Sequence, residues 1–322
     1  MPDLFEINLA RRVLKLNRMS PAVDVLQLLQ KYAHVEITDI PVDADAVCLD
    51  LKRPGLKPTV IINRDRSPKR SRFTIAHELG HTLIPWHRGS IIDVTSEMPD
   101  QSSDDYEMES EANRFASELL MPEDWVKSLM VLQLHDLPQL ARDISFIADV
   151  SLSAAVLRLR VSLPRGFIFA EVGEDLVVKS SWRSPGTAAN SLIAGDRINP
   201  PKEFLETESI WSLRTFDGTY WWWKLPDTVQ LPNASTSDWR KILVEILSEY
   251  GSEDIQRKKA YVSVSATAAN ANGVSGSTAE EVYASILQRF SSKAKNDPLF
   301  TYLMRHPKIT DYMASRARTF RE

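Results

Sequence analysis

Cysteine is almost missing from this sequence: Cys48 is the only one in 322 residues. One thiol excludes an intrachain disulfide framework and any cysteine-rich zinc module. No uninterrupted apolar run approaches the ~20 residues that span a bilayer. The first residues, Met1-Pro2-Asp3-Leu4-Phe5-Glu6, lack the basic flank and apolar core of a signal peptide, so a cytoplasmic location without membrane attachment is expected. A strong excess of positive charge is also missing. Lys and Arg total 39 against 43 acids, a formal net charge of −4, which excludes a polycationic nucleic-acid coat. The chain is 43% hydrophobic and 25% charged, enough apolar material for sizeable cores. At ~150 residues per domain, its length predicts two domains with an appendage.

The order of elements predicts an α+β fold. Ser20-Pro21 opens a helix that runs to about Tyr32. Three β-like runs follow at His34–Ile40, Ala46–Leu51 and Thr59–Asn63, a small three-stranded sheet. Ser67-Pro68 opens a second helix that Pro85 stops, and another starts near Ser102 or Ser103 and ends before Pro122. Asp136 and Ser151 open a pair of helices with helix-turn-helix spacing, read as scaffold rather than as a DNA reader. Beyond Pro164 the composition shifts, and six of the eight tryptophans lie there among β-rich segments. Trp211–Phe216 and Thr219–Leu225 flank Asp217-Gly218, a hairpin signal. Trp239–Tyr250 reads as a helix and Tyr261–Ser265 as a strand. Ala266–Ser277 reads as a linker, and Thr278 with Glu281 as a capping box. The expected domains are 1–122, 123–163 (the helix pair), 164–265 (a Trp-rich unit with a mainly antiparallel sheet) and 277–322 (a basic helical segment, with eight Lys/Arg against three acids from Arg289 to Glu322).

Half of the six histidines fall within eleven residues, at His77, His81 and His87. In Phe73-Thr74-Ile75-Ala76-His77-Glu78-Leu79-Gly80-His81, two histidines four apart on a helix project from one face and can reach one metal ion. Glu78 between them can take a proton from water at that metal, the H-E-x-x-H arrangement of zinc peptidases. A catalytic zinc needs a third protein ligand and an open position. His87 lies at the spacing of a third histidine, but that geometry needs a sharp turn at position 84, where Ile84 resists positive φ. The other candidate lies in Glu107-Met108-Glu109-Ser110-Glu111-Ala112-Asn113. At about 100° per residue, Met108, Ala112, Phe115, Ala116, Leu119 and Leu120 form one stripe. Glu109 lies roughly 60° from its centre, against about 100° for Glu111 and about 140° for Glu107. A carboxylate at a buried edge calls for a partner, and metal supplies one. Asn113, one turn on, can orient a ligand histidine, while Glu107 and Glu111 are expected in solvent.

Arg72–His81 taken with Glu109–Pro122 resembles the ImmA/IrrE family of metallopeptidases over roughly residues 20–163. The resemblance implies a zincin-like fold, zinc ligands at His77, His81 and Glu109, and Glu78 as general base. It also implies cleavage of a helix-turn-helix (XRE-like) repressor that derepresses stress, mobile-element or phage-related genes. The layout further resembles IrrE-like members, whose second domain is a GAF-like sensor. Two histidines and a carboxylate favour Zn2+, although manganese or iron could occupy the same set. A reading from another class is a non-proteolytic metal-binding regulator, a sensor or toxin–antitoxin component acting through protein or DNA binding.

Three weaker signals accompany these. Arg64, Arg66, Lys69, Arg70 and Arg72 form a basic run before the motif helix. Tyr220-Trp221-Trp222-Trp223 is apolar on both faces of a strand, which predicts a central strand. Tyr106 is near enough in sequence to be weighed as an oxyanion-stabilising side chain, with a surface role favoured.

Overall fold

In the computed structural model the described residues are all but 1–3, 95–102, 188, 190, 205–206, 217, 227–230, 233–237, 251–252, 272–277 and 322. The chain divides into two compact units, Met1–Ser162 and Leu163–Glu322. Among the described residues no helix is long and apolar enough to cross a membrane.

The first unit runs α1 (Phe5–Asn17), α2 (Val25–Tyr32), β1 (His34–Thr38), β2 (Ala44–Leu51), β3 (Thr59–Asn63), α3 (Pro68–Leu83), β4 (Gly89–Val94), α4 (Ser103–Leu120), α5 (Glu123–Gln133), α6 (Leu137–Ile147) and α7 (Leu152–Ser162). Its sheet has four strands in the order β1-β3-β2-β4, with β1 parallel to β3 and the other pairs antiparallel. The expected three-stranded sheet therefore gains an edge strand at Gly89–Val94. The sequence also points to a helix start at Ser20-Pro21, whereas α2 begins at Val25, after Asp24 accepts a hydrogen bond from the Gln27 amide. A side chain that satisfies an orphan amide wins over a proline that only presets φ.

The core side of α3 carries Ile75, Ala76 and Leu79, all buried, and packs against β2, α2 and α4. The stripe on α4 is buried at Ala112, Phe115, Ala116, Leu119 and Leu120. Each large side chain in that contact contributes about 1.5–3 kcal/mol. Gly80 is the point of closest approach. A Cβ there would lie 3.1 Å from Phe115 Cδ1 and 3.3 Å from Ala112 Cα. Glu118 ties α4 to α1 and α7. Its buried carboxylate accepts from Arg11 Nε of α1 at 2.8 Å and pairs with Arg158 of α7.

The helix pair α6–α7 forms, with Asp136 capping the first helix and Ser151 the second. Arg158, on the second, is buried and also donates to the Met121 carbonyl. The basic run before α3 is largely spent within the fold. Arg66 pairs with Asp43 and Asp45, Arg70 with Asp45, and Lys69 donates to the Val150 carbonyl.

The second unit contains β5 (Phe167–Val172), β6 (Val178–Arg183), β7 (Ser209–Arg214) and β8 (Thr219–Lys224) in an antiparallel sheet ordered β6-β5-β8-β7. The β7–β8 hairpin forms at the expected place, although Asp217 lies outside the described residues. The strand β8 is interior, with Trp222 and Trp223 fully buried on opposite faces and the Trp223 indole donating to the Pro200 carbonyl. Helices α8 (Trp239–Ser248), α9 (Asp254–Ala269), α10 (Ala279–Ala294), α11 (Pro298–Arg305) and α12 (Ile309–Thr319) share a separate core. The strand expected at Tyr261–Ser265 lies inside α9. Buried Ala260, Val264, Thr267 and Ala268 follow a helical period that outlasts the five-residue alternation. Ala266–Ala269 of the expected linker close that helix, and 272–277 lie outside the described residues. The capping box of Thr278 and Glu281 is present.

Candidate metal centre

Proline at the first position of α3 and an extended Ile84 at its end fix the helix that carries both histidines on the side facing α4. The Nε2 atoms of His77 and His81 are 2.9 Å apart. Glu109 of α4 places Oε2 at 3.1 Å from His77 Nε2 and Oε1 at 3.4 Å from His81 Nε2. These three residues can present one ligand atom each to a single ion. His77 and His81 are buried, and the Glu109 side chain is 25% exposed, so the pocket opens on the carboxylate side.

The chemistry of the donors fits a cation. Asn113 Oδ1 lies 3.0 Å from His77 Nδ1, so that nitrogen carries the proton and Nε2 is left as a bare lone pair. His81 Nε2 and the Glu109 carboxylate converge on that lone pair. That arrangement is repulsive unless a proton or a metal sits in it. Without a metal, burial disfavours the His77 imidazolium, but the Glu109 hydrogen bond and the charges of Glu78, Asp93 and Glu109 outweigh it and push the pKa up to about 9. Burial holds His81 down to about 4. Burial also works against the Glu109 carboxylate, but the His77 and His81 imidazoles beside it prevail and hold its pKa far below the usual carboxylate range.

Glu78 is fully buried, and among the described residues neither carboxylate oxygen accepts from a nitrogen or hydroxyl donor. Burial pushes its pKa up to about 8. Cys48 of β2 lies beside it, its thiol pushed up by burial and by the Glu78 charge. Asp93 of β4 completes a second cluster with His77 and Glu78. Burial raises its pKa as well. Nothing in the sequence marks Asp93, because β4 is not legible as a strand that returns to the motif helix.

His87 is placed away from the metal pocket. The backbone at Ile84 is extended (φ −68°), without the left-handed turn that a third histidine ligand needs. Its Nδ1 instead lies 2.9 Å from His81 Nδ1, on the far side of the ring from the Nε2 pair. Its Nε2 is 2.9 Å from Glu111 Oε2, which also accepts from the Trp86 indole at 2.6 Å. The expectation that Glu111 is solvated is thus corrected: its side chain is 13% exposed. The helical wheel ranks faces by their apolar stripe and misses a polar flank covered by the Trp86–His87 segment. Glu107 is exposed, as is Tyr106 at 72%.

Residues 30–160 match the peptidase M78 family, described as the IrrE N-terminal-like domain. This stretch is similar to the IrrE N-terminal-like domain, a family of metallopeptidase type. No curated protein matches the chain in sequence. Among solved structures, a Mycobacterium tuberculosis transcriptional regulator is similar at 14% identity and a TM-score of 0.39, over 68% of this chain and 87% of that one. So loose a superposition carries no argument about function.

Proposed function

We propose that the IrrE-like domain of this chain is a zinc-dependent endopeptidase whose substrate is a helix-turn-helix (XRE-like) transcriptional repressor, cleaved to release stress, mobile-element or phage-related genes. The observation that carries the reading is the convergence of His77, His81 and Glu109 beside a fully buried Glu78. The family match supports the peptidase class. The repressor as substrate follows from the ImmA/IrrE resemblance. The Leu163–Glu322 unit is then assigned to sensing or recruitment.

His77, His81 and Glu109 would hold the zinc. A bound zinc supplies an electrophile for the scissile carbonyl and acidifies water. Asn113 fixes the His77 ring by accepting a hydrogen bond from its Nδ1–H. Glu78 accepts one proton from the attacking water as the carbon–oxygen bond forms. It returns that proton to the amide nitrogen as the carbon–nitrogen bond breaks. The second water proton leaves with the new carboxyl group. Glu78 is competent as a base in its ionised form, which a cation held by His77, His81 and Glu109 would favour over the neutral form that burial prefers. Apolar neighbours on α3 keep bulk water from competing for that carboxylate.

The test is incubation of the purified full chain and zinc with a helix-turn-helix (XRE-like) repressor from the same genome. Cleavage is expected, with loss of at least 100-fold in rate in Glu78→Gln while zinc binding is retained. Cleavage that survives Glu78→Gln defeats the assigned mechanism. Zinc binding without cleavage of the repressor would point to the non-proteolytic regulator.

A further inference from the structure

We propose that His87 and Glu111 form a positioning relay behind His81 that sets its ring tautomer and keeps its Nε2 lone pair turned to the metal pocket. The proposal rests on the metal-site reading above and deepens it, adding two residues that touch neither the ion nor the substrate.

The argument is a proton count along three contacts. An ionised Glu111 can only accept, so the 2.9 Å contact to His87 Nε2 requires the proton to be on His87. The Trp86 indole, a donor only, holds the same Glu111 oxygen at 2.6 Å and fixes where it sits. A neutral His87 protonated at Nε2 has a bare Nδ1. That bare nitrogen lies 2.9 Å from His81 Nδ1, so the single hydrogen between the two rings belongs to His81. His81 is then protonated at Nδ1 and bare at Nε2, the nitrogen next to His77 Nε2 and Glu109. Reversing any one contact reverses the outcome: a proton on His87 Nδ1 would force one onto His81 Nε2 and fill the pocket with a hydrogen.

Burial makes the arrangement matter. His81 and His87 are both fully buried, so water cannot replace a lost partner. The relay also spans three pieces of chain: α3 carries His81, the turn after it carries Trp86 and His87, and α4 carries Glu111. The same α4 carries Glu109, so one helix supplies a direct ligand to the ion and the anchor for another. His77 has its own and simpler orienting partner in Asn113, which leaves His81 as the ligand that needs the relay.

The experiment measures the zinc dissociation constant of the full chain by competition with a chromophoric chelator, in wild type and four variants. His87→Phe keeps the ring volume but offers no acceptor, and it is expected to bind zinc about 10–100-fold more weakly. His87→Asn returns an acceptor close to the Nδ1 position and is expected to recover part of that loss. Glu111→Gln should fall between His87→Asn and wild type. His81→Ala is the control for the site itself. If His81→Ala leaves affinity unchanged, the metal-site reading fails. If it abolishes binding while His87→Phe stays within twofold of wild type, the relay alone fails. Nitrogen-15 histidine spectra of the zinc-loaded wild type give a readout independent of any variant's folding. They should show His87 protonated at Nε2 and His81 at Nδ1; a proton on His87 Nδ1 would overturn the proposal.

Discussion

Glu78 and His77 are adjacent in sequence and buried together, and without a metal both hold protons more tightly than in an unfolded chain. His77 is raised to about 9 and Glu78 to about 8, from ordinary values of 6.5 and 4.5. A native state that binds more protons than the unfolded state loses stability as pH rises. The depressed His81 titrates below 6.5 and so does not oppose this trend above that pH. The chelator-treated protein should therefore melt at progressively lower temperature between pH 6.5 and 9. Glu78→Gln should flatten the slope, since it removes one titrating group and the charge that raises the other. A melting temperature that climbs over this interval would contradict the burial argument. At the same scale, Glu109→Ala should remove zinc from the protein, measured by metal analysis after gel filtration, whereas Glu107→Ala should not. Retention of stoichiometric zinc in Glu109→Ala would remove that residue from the site.

Helices α3 and α4 set the distance between the two histidines and the carboxylate, and Gly80 sets the distance between the helices. In a solvent-exposed helix, replacing Gly by Ala gains about 1 kcal/mol. Here the added methyl meets Phe115 and the backbone of Ala112. Gly80→Ala should cost about 1–3 kcal/mol in denaturant unfolding and weaken zinc binding together with it; a stabilised variant with unchanged zinc affinity would show that the helices have slack. Glu118 ties α4 to α1 and α7, and Glu118→Ala would leave Arg158 buried without its partner carboxylate, at about 3–5 kcal/mol. A loss under 1 kcal/mol by the same measurement would place the organising contacts elsewhere. The sequence makes α3 and α4 readable because caps, prolines and an apolar stripe agree there. It conceals α1, whose N-cap Leu4 makes no side-chain bond and whose Glu6 is buried only because Arg114, 108 residues away, pairs with it. It misleads at Tyr261–Ser265, where a short alternation of apolar and polar residues imitates a strand inside a helix. The motif residues were legible because helical spacing alone puts them on one face. Glu111, His87 and Asp93 were not, since their roles depend on how the turn after α3 and the edge strand β4 fold back.

The chain as a whole consists of two compact units, and every residue of the candidate centre lies in the first. Ligand binding stabilises the folded state that holds the site. Calorimetry of the full chain should thus show zinc raising the transition of Met1–Ser162, and the same shift should persist in Leu163–Glu322 variants that destabilise the second unit, such as Trp223→Ala. A shift confined to the second unit would place the metal there instead. The most direct test of the account is a zinc-edge anomalous difference map from crystals of the zinc-loaded protein. One peak is expected, at about 2.0–2.2 Å from His77 Nε2, His81 Nε2 and a Glu109 oxygen. A peak that engages His87 directly, or a Glu109 carboxylate turned away from the ion, would contradict it.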